Sequence, residues 1–191
     1  MSFFIGMPAH ALVIDFENQT AQGLAPLANN YLGFDWSGGD WELVSDTYYT
    51  TTYTNSYDSP NGSYAINSAV GLSSIKFTHT NDFNLFTLDA STFAGSDSFV
   101  SYSSRTLTVE GFNNGVLVGS QVLNLSSNTY DNFAVNLLNI DEVRFGSAGS
   151  NLFWVADNFE VEFVPAPATL ALVGLGIAGI GYGRRKQAKA V

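Results

Sequence analysis

Apolar and polar residues alternate along most of the chain as far as residue 163, and the alternating runs end at Asn, Gly, Asp or Ser. A period of two indicates strands, whereas no stretch of this region keeps the 3.6-residue period of an amphipathic helix for three turns. The Asn113-Asn114-Gly115 segment predicts a tight hairpin, because Asn-Gly adopts the positive φ that such a turn requires. The predicted strands are residues 12–17, 74–80, 84–90, 105–112, 116–125, 132–138, 141–146 and 154–163.

Short strands separated by turn residues are typical of an all-β fold, here a jelly-roll-like β-sandwich over residues 12–163. A body of this length is one domain that can bury a core. Residues 18–64 depart from the pattern, because they are rich in Gly, Pro and aromatic residues, and we expect this part to be loop-rich.

The C-terminal segment has a different pattern. Residues 168–183 contain no charged residue, and they are followed by a basic tail, residues 184–191, with Arg184, Arg185 and Lys186 at its start. Residues 165–183 reach roughly 28 Å as a helix, close to the hydrocarbon thickness of a bilayer. We therefore expect a single transmembrane helix at residues 168–183 with a cytoplasmic C-terminus, since basic residues stay on the cytoplasmic side. The alternative is a buried C-terminal helix of the body.

The order of proline break, apolar stretch and cations resembles a PEP-CTERM sorting signal, found in bacteria that make exopolysaccharide. The matching motif is residues 164–167, Val164, Pro165, Ala166 and Pro167, with Ala166 where the family has Glu. The resemblance implies a partner, an exosortase-type membrane protease that recognises and cleaves near this motif. The missing Glu bears on how efficiently that cleavage proceeds.

The first residues resemble the end of a secretory signal peptide. An apolar run, residues 3–7, precedes an A-x-A pattern at Ala9-His10-Ala11, so residues 1–11 are interpreted as the remnant of a cleaved signal. The alternative is an ordinary N-terminus. Together the two ends predict an exported protein, held as a precursor in the inner membrane with its body periplasmic or extracellular.

Charge excludes some partners of the body. All seventeen acidic residues lie in it, against Lys76, Arg105 and Arg144, which gives a formal charge of −14. Nucleic acids and anionic lipids are therefore not expected partners, whereas divalent cations are compatible. The chain has no Cys, which excludes disulfides, thiolate catalysis and Cys-ligated zinc.

The body also resembles the β-sandwich ectodomains attached to PEP-CTERM signals, which are similar to galactose-binding-like carbohydrate-binding modules. The residues that carry the likeness include Asp15-Phe16-Glu17, residues 31–36, residues 140–145 and Ala156-Asp157-Asn158-Phe159. Modules of this shape often hold a structural Ca²⁺ between neighbouring first and last strands. The resemblance thus implies a calcium site at Asp15, Glu17 and Asp157, with Asn158 beside it. The alternative is that these acids are solvated strand ends.

Aromatic residues in the loop-rich part have a composition suited to sugars, because sugar rings stack on flat aromatic faces while nearby Asp side chains bind hydroxyls. The alternative is that some of these aromatic residues, Trp36 and Trp41 above all, belong to the core. The candidates for glycan binding are Trp36, Trp41, Tyr49, Tyr53 and Tyr57, with Tyr48, Asp35, Asp40 and Asp46 nearby.

Catalytic signals are weak. The body has a single His after residue 11, His79, and the sequence holds no nucleophile elbow, HExxH or P-loop. We therefore expect a non-catalytic envelope or matrix protein that binds exopolysaccharide. The alternatives are a structural or adhesive matrix protein without a specific glycan site, and a glycan-active enzyme whose carboxylates come from distant strands.

Overall fold

The computed structural model describes residues 11–18, 24–38, 41–45, 64–68, 74–93, 103–126, 129–147 and 152–164. These residues form antiparallel strands and contain no helix, which confirms the predicted all-β fold. The strands are β1 (Ala11–Ile14), β2 (Leu24–Pro26), β3 (Asn30–Tyr31), β4 (Phe34–Gly38), β5 (Trp41–Ser45), β6 (Tyr64–Ser68), β7 (Ser74–Thr92), β8 (Thr106–Asn113), β9 (Val116–Asn124), β10 (Asp131–Ser147) and β11 (Trp154–Phe163).

Two long strands, β7 and β10, build the sandwich by passing through both of its sheets. The first half of β7 and the second half of β10 pair with each other and lie between β4 and the hairpin β8–β9. The second half of β7 pairs with the first half of β10 on one side and with β11, in place of β4, on the other. From β11 the sheet continues to β6, β5 and β2. Strands that change sheets in this way make the corner of a sandwich and close it over one core.

The corner lies where residues 79–82 of β7 face a single residue of β10, Asp141, between the pairs Ile140–Phe83 and Glu142–Thr78. On β10 the register shifts again near Asn136 and Asn139, both of which have positive φ. The prediction of separate strands at 74–80 and 84–90, and at 132–138 and 141–146, is therefore wrong. Polar residues that resemble turns are bulges here, because Asn tolerates the left-handed conformation within a continuous strand.

The hairpin prediction is confirmed. Strands β8 and β9 are joined by Asn114 (φ 48°) and Gly115 (φ 77°), the two positive φ values of a type I′ turn. The expectation of a loop-rich part at residues 18–64 is wrong for the described residues of that range, which hold β2 to β5 and the start of β6. These strands have two to five residues each, too short for their alternation to stand out.

The core between the sheets is rich in aromatic side chains. Phe77, Phe145 and Phe159 are fully buried and pack against Trp36, Trp41 and Trp154. Strand β1 pairs with β11, so the first and last strands are neighbours, as the sequence predicted. Large buried rings supply the stabilisation that disulfides give many secreted domains.

The features predicted at the two ends of the chain lie largely outside the described residues. Among the residues that the structure describes, no helix is long and apolar enough to cross a membrane. Residues 1–10 and 165–191 are outside the described ranges, and with them the signal-peptide remnant, the transmembrane helix and the basic tail.

Candidate functional site

Two of the predicted glycan-binding residues belong to the core. Trp36 and Trp41 are 1% and 3% exposed. Their indole N–H groups donate to the backbone oxygens of Tyr31 (3.0 Å) and Lys76 (2.9 Å). A sugar ring needs an open aromatic face, so these two tryptophans are not part of a sugar surface. Their partners Phe77 and Phe145 come from strands far along the chain, which is why local sequence did not reveal the burial.

The remaining aromatic candidates, Tyr49, Tyr53 and Tyr57, lie outside the described residues, as do Tyr48, Asp40 and Asp46. Asp35 is exposed on β4. Hydrogen bonds from Ser37, through its side chain and its backbone N–H, and the nearby charge of Lys76 hold the pKa of Asp35 below its usual value.

Phe16 positions the acidic residues that follow β1. It has a φ of 57° and is fully buried, with its ring stacked on Tyr31 at 5.5 Å and edge-on to Phe159 at 5.9 Å. Positive φ is unfavourable for a bulky residue, so packing must hold this conformation. The buried ring of Phe16 thereby fixes the backbone positions of its two neighbours, Asp15 and Glu17.

Asp157 on β11 lies opposite Asp89 on β7 in the strand register. Asp89 accepts hydrogen bonds from the side-chain amides of Asn132 and Asn158, both at 2.8 Å. Asp157 is fully buried, and its Oδ1 accepts the backbone N–H of Asn158 at 2.8 Å, while its Oδ2 has no hydrogen-bond partner among the described residues. Both oxygens of Asp89 thus accept hydrogen bonds from amides, whereas only Oδ1 of Asp157 does among the described residues.

Burial raises the pKa of Asp157 to about 9. The hydrogen bond from Asn158 opposes the rise, and the negative charges of Glu17, Asp89 and Asp15 add to it. Asp157 therefore carries a proton at neutral pH. The alternative offered for these acids, a solvated strand end, does not hold for Asp157.

The predicted calcium site is only partly matched by this arrangement. A cation that binds the unpartnered Oδ2 of Asp157 would have to displace its proton, and Asp15 and Glu17 are close enough for their negative charges to act on Asp157. Calcium, however, takes six to eight oxygens. Among the described residues no group of three or more His, Asp or Glu side chains is placed to hold one metal ion. These side chains do not by themselves make up a calcium site, and Ca²⁺ at Asp15, Glu17 and Asp157 stays a prediction.

A charged cluster on the outer face of β7, β10 and β8 was not predicted. Glu142 accepts hydrogen bonds from Lys76 Nζ, at 2.7 Å, and from Arg144 Nε. The Arg144 guanidinium lies 3.8 Å from the centre of the Phe112 ring. These residues are far apart in sequence, so only the register that sets Arg144 beside both Lys76 and Glu110 brings the cluster together. The cluster exposes charged groups, but the Phe112 ring is buried beneath Arg144 and has no open face for a sugar.

His79 has a packing role in the corner. Its ring lies 4.6 Å from that of Phe163 and 5.0 Å from that of Phe34, and Nδ1 accepts the backbone N–H of Asn81 at 2.9 Å. The described contacts of the imidazole are thus with aromatic rings and with the backbone of the corner, and they support a structural role for His79.

Solved structures with a similar layout include modules that bind sugars. CBM29_1, a family 29 carbohydrate-binding module from Piromyces equi, is 13% identical, with a TM-score of 0.44 over 82% of this chain and 91% of that one. The K1 cleaved adhesin domain of Lys-gingipain from Porphyromonas gingivalis W83 is 14% identical, with a TM-score of 0.42 over 82% and 99%. TmCBM61 in complex with β-1,4-galactotriose is 12% identical, with a TM-score of 0.31 over 71% and 95%. Likenesses this distant assign neither a ligand nor a site to this chain.

No curated protein matches the sequence. The PEP-CTERM protein-sorting motif family matches residues 163–186, the range that begins with the last residue of β11 and contains Val164, Pro165, Ala166 and Pro167. This motif indicates a secreted protein that an exosortase processes at the cell envelope. The resemblance stated from the three-part pattern is thereby confirmed: the C-terminal end of this chain is a PEP-CTERM protein-sorting motif.

Proposed function

We propose that the chain is an exported, non-catalytic protein of the bacterial envelope or extracellular matrix whose body binds exopolysaccharide. The observation that carries the proposal is the sorting motif at residues 163–186, which follows directly on the last strand of a folded body. Polysaccharide binding is the finer part. It is supported by the three tyrosines at positions 49, 53 and 57, which are the predicted stacking residues left once Trp36 and Trp41 are placed in the core.

In the proposed route the precursor spans the inner membrane with residues 168–183, and its basic tail stays in the cytoplasm. The absence of Cys gives a clean test, because Thr80→Cys in the body and Ala190→Cys in the tail each create a single thiol. In spheroplasts lacking the exosortase, an impermeant maleimide should label Cys at position 80 at once and at position 190 only after lysis. Labelling of position 190 in intact spheroplasts would refute this orientation.

Processing is tested by mass spectrometry of the mature C-terminus in cells that contain the exosortase. We expect a C-terminus near residues 164–167, and faster conversion of the precursor in Ala166→Glu, which restores the acidic residue of the family motif. Ala166→Gln is the matched control, since it adds bulk without charge. A tail intact through Val191 in every variant would refute cleavage at this motif.

Polysaccharide binding is tested with a glycan array and affinity electrophoresis in the exopolysaccharide of the producing strain. The triple variant Tyr49→Ala, Tyr53→Ala, Tyr57→Ala should lose at least tenfold in affinity, while the triple Tyr→Phe variant keeps the rings and most of the binding. Equal binding by wild type and the Ala variant, or no binder on the array, would remove this part of the proposal without affecting export.

A second function, a structural or adhesive matrix protein, is favoured by a specific observation, the exposed apolar strand β9 described below. A glycan-active enzyme is a third. Asp89 and Asp157 are carboxyls that lie opposite each other, but the complete burial of Asp157 closes it to a sugar. Release of reducing sugar from the exopolysaccharide would identify the enzyme.

A further inference from the structure

Strand β9 combines an edge position with apolar side chains on the surface. It ends the strand order of the sheet, and among the described strands its hydrogen-bonded neighbour is β8 alone. Val116, Leu117, Val118 and Val122 are between 51% and 67% exposed. None of the described strands pairs with the other side of β9, where the backbone N–H and C=O groups lie beside exposed valines.

This edge lacks three of the four features that usually protect one. Edge strands of soluble proteins avoid pairing with other chains by charged side chains, proline, short length or a bulge. Strand β9 has the sequence Val-Leu-Val-Gly-Ser-Gln-Val-Leu-Asn, nine residues without charge or proline. Val118 forms a bulge, because Gly111 pairs with Gly119 and Phe112 with Leu117, but from Gly119 to Asn124 the pairing with β8 is unbroken. Six consecutive residues thus offer a regular template for another strand.

We propose that β9 pairs antiparallel with β9 of a second copy of this chain, forming a two-fold dimer. The charge of the body argues for this occupant. Two bodies of formal charge −14 repel wherever acidic surfaces meet, and β9 is an uncharged strip at which they approach with least repulsion. The closest acidic residue in the register, Glu110 opposite Ser120, itself lies opposite Arg144.

The strand is also complementary to itself. A two-fold axis at Ser120 sets Val118 of one copy opposite Val122 of the other, and the reverse pair follows by symmetry. The alternation of a strand puts Ser120 and Val122 on one exposed face, and Val118, at the bulge, is exposed as well. The dimer then covers four valines and satisfies the free edges of both sheets at once. It does not depend on the proposed polysaccharide binding.

Disulfide trapping tests the register in the full chain in the producing cells. Because the chain has no Cys, Ser120→Cys adds one thiol per copy, at the two-fold axis. Directly opposed residues of antiparallel strands have Cα atoms about 4.5–5.5 Å apart, within the range that a disulfide spans. Mild oxidation with copper phenanthroline should convert most of the protein to a band of twice the mass on a non-reducing gel, reversed by dithiothreitol.

Two matched variants set the specificity of this result. Thr108→Cys lies on the neighbouring strand β8, too far from the axis to cross-link, and should give at least tenfold less dimer. Adding Val118→Lys and Val122→Lys to Ser120→Cys should abolish the dimer while circular dichroism still shows a folded body. The proposal is overturned if Ser120→Cys stays monomeric, if Thr108→Cys cross-links equally well, or if the cross-linked product contains a different protein.

Discussion

Strands β9 and β11 reverse the usual relation between polarity and burial. Strand β11 contains Asp157, Glu160 and Glu162, yet its first four residues are buried and Asp157 is fully enclosed. Strand β9 has no charged residue, yet only Leu123 among its nine residues is buried. The difference lies in neighbours, because β11 has β7 on one side and β1 and β6 on the other, whereas β9 pairs with β8 alone among the described strands. Topology, more than the polarity of a strand, decides what it buries.

The comparison predicts that substitutions lose effect from β11 towards β9, and Trp154→Ala should have the largest. Trp154 on β11 is fully buried, 5.4 Å from the ring of Phe145 and 6.1 Å from that of Trp41. Removing a buried indole should lower the free energy of unfolding by about 3–5 kcal/mol. Urea denaturation measures it, with Trp154→Phe as the control that keeps part of the volume. A loss below about 1 kcal/mol would mean that β11 is not the packed centre of the fold.

Asp157→Asn should act in the opposite direction and depend on pH. The pKa of Asp157 is about 9 in the folded protein, against 3.8 for an ordinary Asp, so between these values the folded state holds one more proton than the unfolded state. The free energy of unfolding then falls by about 1.4 kcal/mol for each unit of rising pH. The stabilisation is complete below the unfolded pKa and is lost as pH rises through the folded one. Asn has no proton to lose, so the gain of the variant over wild type should grow from pH 5 to pH 8.

The control for Asp157→Asn is Val155→Ala, a buried substitution on the same strand that removes no titratable group, so its effect should not change from pH 5 to pH 8. Melting in Ca²⁺ and in EDTA separates the two interpretations of the site. If Ca²⁺ raised the melting temperature of wild type but not of Asp157→Asn, Asp157 would be a ligand, and the missing oxygens would come from outside the described side chains.

Some features of the fold and of the C-terminal end could be predicted from local sequence alone. The strand period, the Asn114-Gly115 turn and the three-part C-terminal motif are local signals, and the fold or the family match confirms them. The neighbouring of first and last strands followed from the fold class. These features need no knowledge of distant contacts.

Other features depend on partners far along the chain. An Asn at position 139 is compatible with either a turn or a bulge. The structure has a bulge there, in which the backbone N–H of Asn139 donates to the side chain of Asn84 on β7. A tryptophan in the sequence is equally compatible with a sugar-binding surface and with a core. Trp36 belongs to the core because it packs against Phe77, a residue far along the chain. Asp157 lies at a strand start where acids are usually solvated, and burial follows only from the strands on both of its sides.

Glu142→Gln tests β10, which lies between β11 and β9 in the strand order and pairs with β7 and β8. Partial burial raises the pKa of Glu142, but the hydrogen bonds and charges of Lys76 and Arg144 outweigh it and hold the pKa below its usual value. The ion pairs therefore stabilise the fold above the unfolded pKa, and that stabilisation is lost as pH falls through the folded pKa. We expect the variant to lose about 1 kcal/mol at pH 7 and less at pH 3, by urea denaturation. An equal loss at both pH values would contradict the ionic origin.

Val122→Thr on β9 should have the smallest effect, because Val122 is 61% exposed and the two side chains have the same shape. In dilute protein, where copies are apart, the free energy of unfolding should change by less than about 0.5 kcal/mol. Val109→Thr, on the neighbouring strand but fully buried, is the matched control and should cost several times more, since its hydroxyl is placed in the core. If Val122→Thr cost as much as Val109→Thr at dilution, β9 would be covered within a single chain. The contrast with β11 would then fail, because both strands would be interior.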